Sequence, residues 1–487
     1  MKILMISAEV FPFAKTGGLA DAVAALAKAL SEKGNDVKIV MPRYYKIDRK
    51  TVSLLKKGVC VCTGQQEVAV DFYCARLEKS AVEVYFVDYE KCFGREGLYG
   101  NSFEPDYHDN PFRFSLLARA AFSLCTETGW IPDIMHSHDW SSCMVPVLLK
   151  QCMRTENSPF KNTKSVLTIH NMGYQGRYPS GAFSLLGLPQ EQFRAAGFEQ
   201  YGCINFLKAG ITCSDILTTV SPTYADEVKT QAGGFGLDGL IRVRADSFFG
   251  ILNGADSADW NPASDSFLPA NYSAENMAGK KICRRKLQQE FGLPADDEVP
   301  VIGMVSRLAE QKGIAEVFAP MYGCMYRMCT ELRAQFVVVG SGERWCEDEI
   351  KVLAGKLPNL RAFVGYSEEK SRLVESGCDF FLMPSKYEPC GLNQIYSMLY
   401  GTLPIVRRTG GLADTVEQYD EQTGCGTGFT FGDLTPDTIF YTVQYAVDTF
   451  YRRREHYEKM QQQGMKKTFS WNDAAEKYLE VYKKAGV

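Results

Sequence analysis

No stretch of this chain is apolar for long enough to span a membrane, since a helical span needs about 20 such residues. Positive charge is not in excess either. Lys and Arg number 54 against 58 Asp and Glu, a net charge of −4. That balance builds no broad basic face, so nucleic acid is not an expected partner. Histidine is scarce, with five in 487 residues. The sixteen cysteines include the close pair Cys60 and Cys62, with Cys143 and Cys152 further apart, but no Cys-x2-Cys with a second half. A zinc site or a disulfide framework is not expected from such spacing. Met1–Ile6 is too short for the apolar core of a signal peptide and leads straight into Glu9. Buried reduced thiols and a cytoplasmic location are the expectation that follows. Two nucleotide signatures are missing as well. No Asp-x-Asp is present to bridge a diphosphate through a metal, and the first βα turn lacks Gly-x-Gly-x-x-Gly.

What is present is a repeated hexapeptide. Thr-Gly-Gly-Leu-Ala-Asp occurs at Thr16–Asp21 and again at Thr409–Asp414, each copy after an apolar run and before a helical pattern. Glycine lets a ligand approach the backbone closely, and a helix starting just beyond aims free N–H groups at an anion. Two similar α/β units that bind something phosphorylated or heavily hydroxylated are therefore expected. The length also exceeds what one core usually serves.

The first unit reads strand, loop, helix, strand. Ile3–Ile6 is apolar, Val23, Leu26, Ala27 and Leu30 fall at helical spacing after Asp21, and Val37–Met41 resumes a strand. Further apolar runs at Val82–Val87, Ile134–Met135, Val166–Ile169 and Leu217–Val220 imply a mainly parallel sheet covered by helices. Turn-rich sequence from Ile251 to about Ser273 marks a domain junction. A second series follows at Val301–Val305, Phe336–Val339, Ala362–Val364, Phe380–Met383 and Leu403–Val406. Trp471–Ala485 reads as an amphipathic helix.

Candidate functional residues cluster just after these runs. His136, His138, Asp139 and Trp140 follow Ile134, and His170 and Asn171 follow Ile169. Arg307 and Lys312 follow Val305, Gly340-Ser341-Gly342 follows Val339, Tyr366 follows Val364, and Glu388 follows Met383. In open parallel sheets the ligand crevice lies beyond the carboxyl ends of the strands. Two sheets facing each other by those edges would enclose a deep cleft, the expected seat of the chemistry. A lone surface lysine is the default reading of Lys15, but its place directly before Gly17-Gly18 favours anion binding. Arg307 and Lys312 near a helix start oppose the helix dipole, a cost that an anion between them would explain. His170 alone reads more often as a satisfied, partly buried histidine than as a catalyst. Asp139-Trp140 reads as an N-cap with a packed aromatic, or as a sugar platform.

These residues resemble the family of bacterial glycogen synthases and plant starch synthases. Lys15-Thr16-Gly17-Gly18-Leu19-Ala20-Asp21 is similar to its signature. So are His136-Ser137-His138-Asp139-Trp140, Thr168-Ile169-His170-Asn171, Asn253-Gly254 through Trp260-Asn261-Pro262, and Ser306-Arg307-Leu308 through Gln311-Lys312-Gly313. Pro384 through Leu392, followed by Thr409–Asp414, completes the series in family order. The resemblance implies an α/β protein of two Rossmann-like domains facing across a deep cleft, the GT-B arrangement. Residues 1–250 would be the acceptor-side domain, 251–468 the nucleotide-sugar domain, and 469–487 a helix crossing back to the first domain.

The implied activity is transfer of glucose from ADP-glucose to the non-reducing end of an α-1,4-glucan, with retention. No cofactor beyond the co-substrate ADP-glucose is implied. By the same resemblance, Arg307 and Lys312 serve the diphosphate, with backbone N–H groups near Gly18, Gly391 and Leu392, and Gly17 belongs to the substrate-binding set. Lys15 lies near the phosphate and the reacting sugar. His170 and Glu388 hold glucose hydroxyls, helped by Asp21 and Asn253. Tyr366 stacks on adenine, and Asp139 and Trp140 face the glucan. The broader retaining superfamily often has a second glutamate eight residues after the first, where this chain has Tyr396. The alternatives are a retaining glycosyltransferase with another donor or acceptor, and a glycan-binding protein that has lost catalysis.

Overall fold

Val, Ile, Leu and Met dominate the short runs that form the central strands, and such runs are stable only where both faces of a sheet are covered. The computed structural model describes residues 1–64, 66–257 and 259–487. The chain divides into two compact units, Met1–Gly254 with Trp471–Val487, and Ala255–Ser470.

The strands of the first unit's large sheet are β1 (Lys2–Ile6), β2 (Asp36–Pro42), β3 (Ser53–Cys62), β4 (Glu67–Arg76), β5 (Glu83–Asp88), β6 (Ile134–His138) and β7 (Lys164–Ile169). A small antiparallel sheet of β8 (Arg177–Pro179), β9 (Glu199–Gln200) and β10 (Cys203–Asn205) intervenes. The strands β11 (Ile216–Thr219) and β12 (Phe248–Gly250) return to the large sheet. Its order is β12-β11-β7-β6-β1-β2-β5-β4-β3. Every pair from β12 to β5 is parallel, while β5-β4 and β4-β3 are antiparallel. That edge hairpin was not apparent from the sequence, because Lys56 and Lys57 interrupt its apolar pattern. Lysine on an outer strand guards a sheet edge against further pairing.

The second unit holds β13 (Val301–Val305), β14 (Gln335–Gly340), β15 (Leu360–Val364), β16 (Phe380–Met383), β17 (Leu403–Arg407) and β18 (Phe429–Phe431). They form one all-parallel sheet in the order β15-β14-β13-β16-β17-β18. Apolar cores cover both faces, one with Ile302, Phe336 and Phe380, the other with Val301, Val337 and Phe381. The alternation follows from the two-residue period of a strand.

In both sheets the strand order reverses beside the first strand, between β1 and β6 in one and between β13 and β16 in the other. Loops leaving the carboxyl ends of strands diverge at such a point and leave a crevice.

The C-terminal helix Trp471–Lys484 belongs to the first unit. Ala474, Ala475, Tyr478, Val481 and Tyr482 join that unit's core, and Lys33 Nζ lies 2.8 Å from Glu476 Oε1. Among the described residues no helix is long and apolar enough to cross a membrane.

Two expectations need correction. The first helix is Gly18–Glu32 and so starts three residues ahead of Asp21, with Gly17 as its N-cap. His136 and His138 lie inside β6, not after it. Both are buried, and a strand reading that counts only apolar residues stops short of them.

Candidate active site

In the first unit the loop after β1 is organised by a residue that the sequence reading passed over. Glu9 is buried, and its carboxylate accepts hydrogen bonds from Thr16 N and Gly17 N, from Thr16 Oγ1 at 2.7 Å and from Tyr99 Oη at 2.9 Å. The N–H groups of Thr16 and Gly17 are thus occupied within the protein. The donors left for an anion are those of the first helical turn, which have no partner within the helix. Lys15 stands exposed at this turn, with its Nζ 2.8 Å from Asp21 Oδ2 and 5.6 Å from the Phe11 ring centre. A Cβ on Gly17 would meet nothing within 4 Å.

At the carboxyl ends of β6 and β7 stands a polar group around His170. Asp139 has φ 57 and ψ −178, a backbone state that costs a non-glycine residue about 1–3 kcal/mol. In this state its Oδ1 accepts from the backbone N–H of His170 at 2.7 Å and of Asn171 at 3.3 Å. The carboxyl makes no helix cap, so the N-cap expectation is replaced by a brace across two loops. Burial pushes this carboxyl up to about 7. The ring of His170 meets His138, Nε2 to Nδ1, at 3.0 Å. Burial holds both imidazoles neutral, with His170 lowered to about 3 and His138 also well below its usual value.

Trp140 is a packing residue. It is 9% exposed, and its ring lies 5.0–6.0 Å from those of Phe114, Tyr99, Tyr178 and Phe206. A sugar platform needs an open ring face, and this ring is walled in on several sides, so that expectation is corrected. Asn253 is also buried, at the end of the first unit beyond β12.

In the second unit the loops after β13 and β16 meet. Lys312 Nζ lies 2.5 Å from Glu388 Oε2, which also accepts from Ser385 Oγ at 2.8 Å. Both side chains are largely buried, at 17% and 8% exposure. Gly391 has φ +71, and Leu392 is the N-cap of the helix Asn393–Leu399. Arg307 leaves β13 two residues beyond its end. Tyr366 stands apart, 81% exposed just after β15. Tyr396 stacks on Trp260 with ring centres 3.9 Å apart.

The second hexapeptide copy differs from the first. Thr409, Gly410, Gly411 and Leu412 are buried. Gly411 N donates to Glu388 O at 3.0 Å. A Cβ on Gly410 would come within 2.0 Å of Glu388 O, and one on Gly411 within 2.0 Å of Cys390 O. These glycines admit the backbone of the Glu388 loop. The expectation of a second open, anion-facing turn is therefore corrected, since backbone fills the space a ligand would need.

Among the described residues no cluster of His, Cys, Asp and Glu is arranged to hold a metal ion.

The comparisons with known proteins agree along the whole chain. The family described as starch synthase catalytic domain matches residues 2–243, and that described as glycosyl transferases group 1 matches residues 286–467. The chain is 54% identical to the glycogen synthase of Treponema denticola, over 99% of this chain and 98% of that protein. It is 44% identical to glycogen synthase 1 of Geobacter metallireducens, over 100% and 96%. Its fold is similar to the catalytic domain of starch synthase IV from Arabidopsis thaliana bound to ADP and acarbose, with TM-score 0.89, 32% identity and 99% of each chain covered.

Proposed function

This chain belongs to the glycogen and starch synthase family of glycosyltransferases, and from that premise we propose that it transfers glucose from ADP-glucose to the non-reducing end of an α-1,4-glucan with retention. The observation that carries the reading is the Lys312–Glu388 pair, held at the point where the strand order of the second sheet reverses. A fixed cation beside a hydrogen-bonded carboxylate suits a substrate that is phosphate at one end and polyol at the other.

The reaction breaks the bond between C1 of glucose and the diphosphate oxygen and forms one from C1 to the acceptor's 4-oxygen. Negative charge grows on the departing ADP. Fixed cations and N–H donors there lower the barrier because they act more strongly on the transition state than on the bound substrate. We assign this work to Arg307 and Lys312, with N–H groups near Gly391 and Leu392. Lys15 and the first turn of the helix Gly18–Glu32, including Gly18, supply the corresponding positive end in the first unit. Asp21 sets the Lys15 ammonium through their ion pair. His170 and Glu388 hold sugar hydroxyls, Tyr366 stacks on adenine, and Asn253 supports the sugar from the end of the first unit.

Glu388 is an orienting group in this scheme. Its Oε2 accepts from both Lys312 and Ser385, which fixes the orientation of the carboxylate beside the sugar. The leaving phosphate accepts the acceptor's proton, and the acceptor attacks from the same face. Asp139 faces the glucan and also braces the backbone of His170 through its Oδ1.

Transfer of labelled glucose from ADP-glucose to glycogen, run against other nucleotide sugars, tests the proposal. Chain elongation with ADP-glucose as the best donor is the expected result. Tight glucan binding without transfer would replace it with the non-catalytic alternative, and preference for another donor would replace the substrate assignment.

A further inference from the structure

His136 and His138 stand two residues apart on β6, so their side chains leave the same face of the strand. Their ring centres lie 4.1 Å apart, at an interplanar angle of 35°. On one side, His136 Nδ1 lies 2.8 Å from the Tyr482 hydroxyl and its Nε2 lies 2.6 Å from Thr168 Oγ1. On the other, His138 Nδ1 meets His170 Nε2 at 3.0 Å. The remaining nitrogen of His138, Nε2, is buried and has no partner among the described residues.

That last fact decides where the hydrogens go. A contact between two imidazole nitrogens is a hydrogen bond only if one carries hydrogen and the other offers a lone pair. With both rings neutral, two arrangements exist. In one, His170 donates from Nε2, and His138 must then carry its own hydrogen on the buried, unpartnered Nε2. In the other, His138 donates from Nδ1 and leaves only a lone pair unpartnered. A buried N–H without an acceptor is the rarer and costlier defect. The second arrangement therefore prevails, and it obliges His170 to carry its hydrogen on Nδ1.

We propose that His138 is a positioning residue that locks His170 in the Nδ1–H tautomer, so that the nitrogen of His170 not held by His138 acts as a hydrogen-bond donor to the substrate. The consequence for catalysis rests on the reading of His170 as a sugar ligand, whereas the tautomer itself does not. Two adjacent residues thus divide the task. Asp139 fixes the backbone of His170, and His138 fixes its ring.

With only five histidines, ¹⁵N-histidine labelling of the full chain resolves the question directly. The His170 signals are assigned by their loss in a His170→Asn sample. Nδ1 in the protonated range and Nε2 in the unprotonated range at neutral pH is the expected result. The reverse pattern, or a charged ring, would overturn the proposal.

Two variants extend the test. His138→Asn keeps an amide donor near the position of Nδ1, and His138→Leu removes it. The Leu variant should release the tautomer of His170 and lower kcat about 10–100-fold, and the Asn variant should recover much of that loss. Wild-type kcat in a folded His138→Leu protein whose His170 keeps the Nδ1–H form would refute the role. If His138→Leu does not fold, the wild-type spectrum and the Asn variant still decide. The expected tautomer in a protein that transfers no glucose would count against the proposed function and leave this inference standing.

Discussion

Lys312 Nζ and Glu388 Oε2 lie 2.5 Å apart although 76 positions separate them in the chain. The contact joins the loops after β13 and β16, the two strands that flank the reversal of strand order in the second sheet. It does two jobs that mutation can separate. Lys312→Ala should lower turnover about 10²–10³-fold through the lost cation at the leaving group. It should also destabilise the second unit by about 3 kcal/mol, because a buried carboxylate is left unpaired. Adding Glu388→Gln should restore much of the melting temperature and none of the activity. Recovery of both in the double variant would mean that the pair is structural only.

The two hexapeptide copies should respond differently to the same change. Gly17→Ala meets open space and should leave the free energy of unfolding within about 0.5 kcal/mol of wild type. Gly410→Ala, the equivalent position in the second copy, places a methyl group against Glu388 O at a residue whose φ is +44. It should cost about 1–3 kcal/mol and disturb the Glu388 loop. Thermal unfolding of the two proteins side by side checks this, and equal shifts would contradict the open and filled environments described above.

Trp140→Ala should act on stability and Tyr366→Ala on binding. Emptying the site of a buried tryptophan costs about 3–5 kcal/mol, and any change in glucan use should track the loss of folded protein. Tyr366 is exposed, so its removal should leave unfolding unchanged and raise the donor KM. A selective rise in acceptor KM for a fully folded Trp140→Ala protein would restore the sugar-platform reading.

The buried histidines predict acid sensitivity in the first unit. Burial lowers His136 to about 3 and His170 to about 3, and lowers His138 as well, against about 6.5 for a free imidazole. Below pH 6.5 the unfolded chain binds protons that the folded chain refuses, so stability is full above that value and falls as pH drops towards 3. For His136 alone the loss by pH 5 is about 2 kcal/mol. Asp139 works in the opposite sense. Its carboxyl, raised to about 7, holds a proton in the fold that the unfolded chain releases above about pH 4. Three imidazoles outweigh one carboxyl. Hydrogen exchange of β6 and β7 amides should show protection falling with acidification, with a shallower slope in His136→Leu. Identical slopes would remove His136 from the account.

The parts legible in the sequence are those in which neighbouring residues settle the structure. Val301–Val305 and Phe380–Met383 are uninterrupted apolar runs, and the strands have those same limits. The polar residues beyond them, Arg307, Lys312 and Glu388, fall where parallel-sheet geometry puts ligands, and the family resemblance named them. What stayed hidden depends on contacts distant in sequence. Gly17 and Gly410 sit in identical hexapeptides, yet only the second abuts the Glu388 loop. Glu9 organises the glycine turn from seven residues upstream, and no local pattern distinguishes it from an ordinary surface acid. His136 and His138 look like loop residues because a strand rarely buries two imidazoles, and Tyr482, the partner of His136, lies 346 positions further along the chain.

That last contact has a bearing on biosynthesis. Tyr478, Val481 and Tyr482 complete the core of the first unit, but the ribosome makes them only after it has translated all of residues 255–470. At 5–20 residues per second, the nascent first unit waits with the slot for its final helix open and His136 without its tyrosine. The second unit, contiguous in the chain, has no such delay and can finish first. A stop codon just before Trp471 would therefore spare the later-made half and leave the earlier-made half exposed to chaperones and proteases.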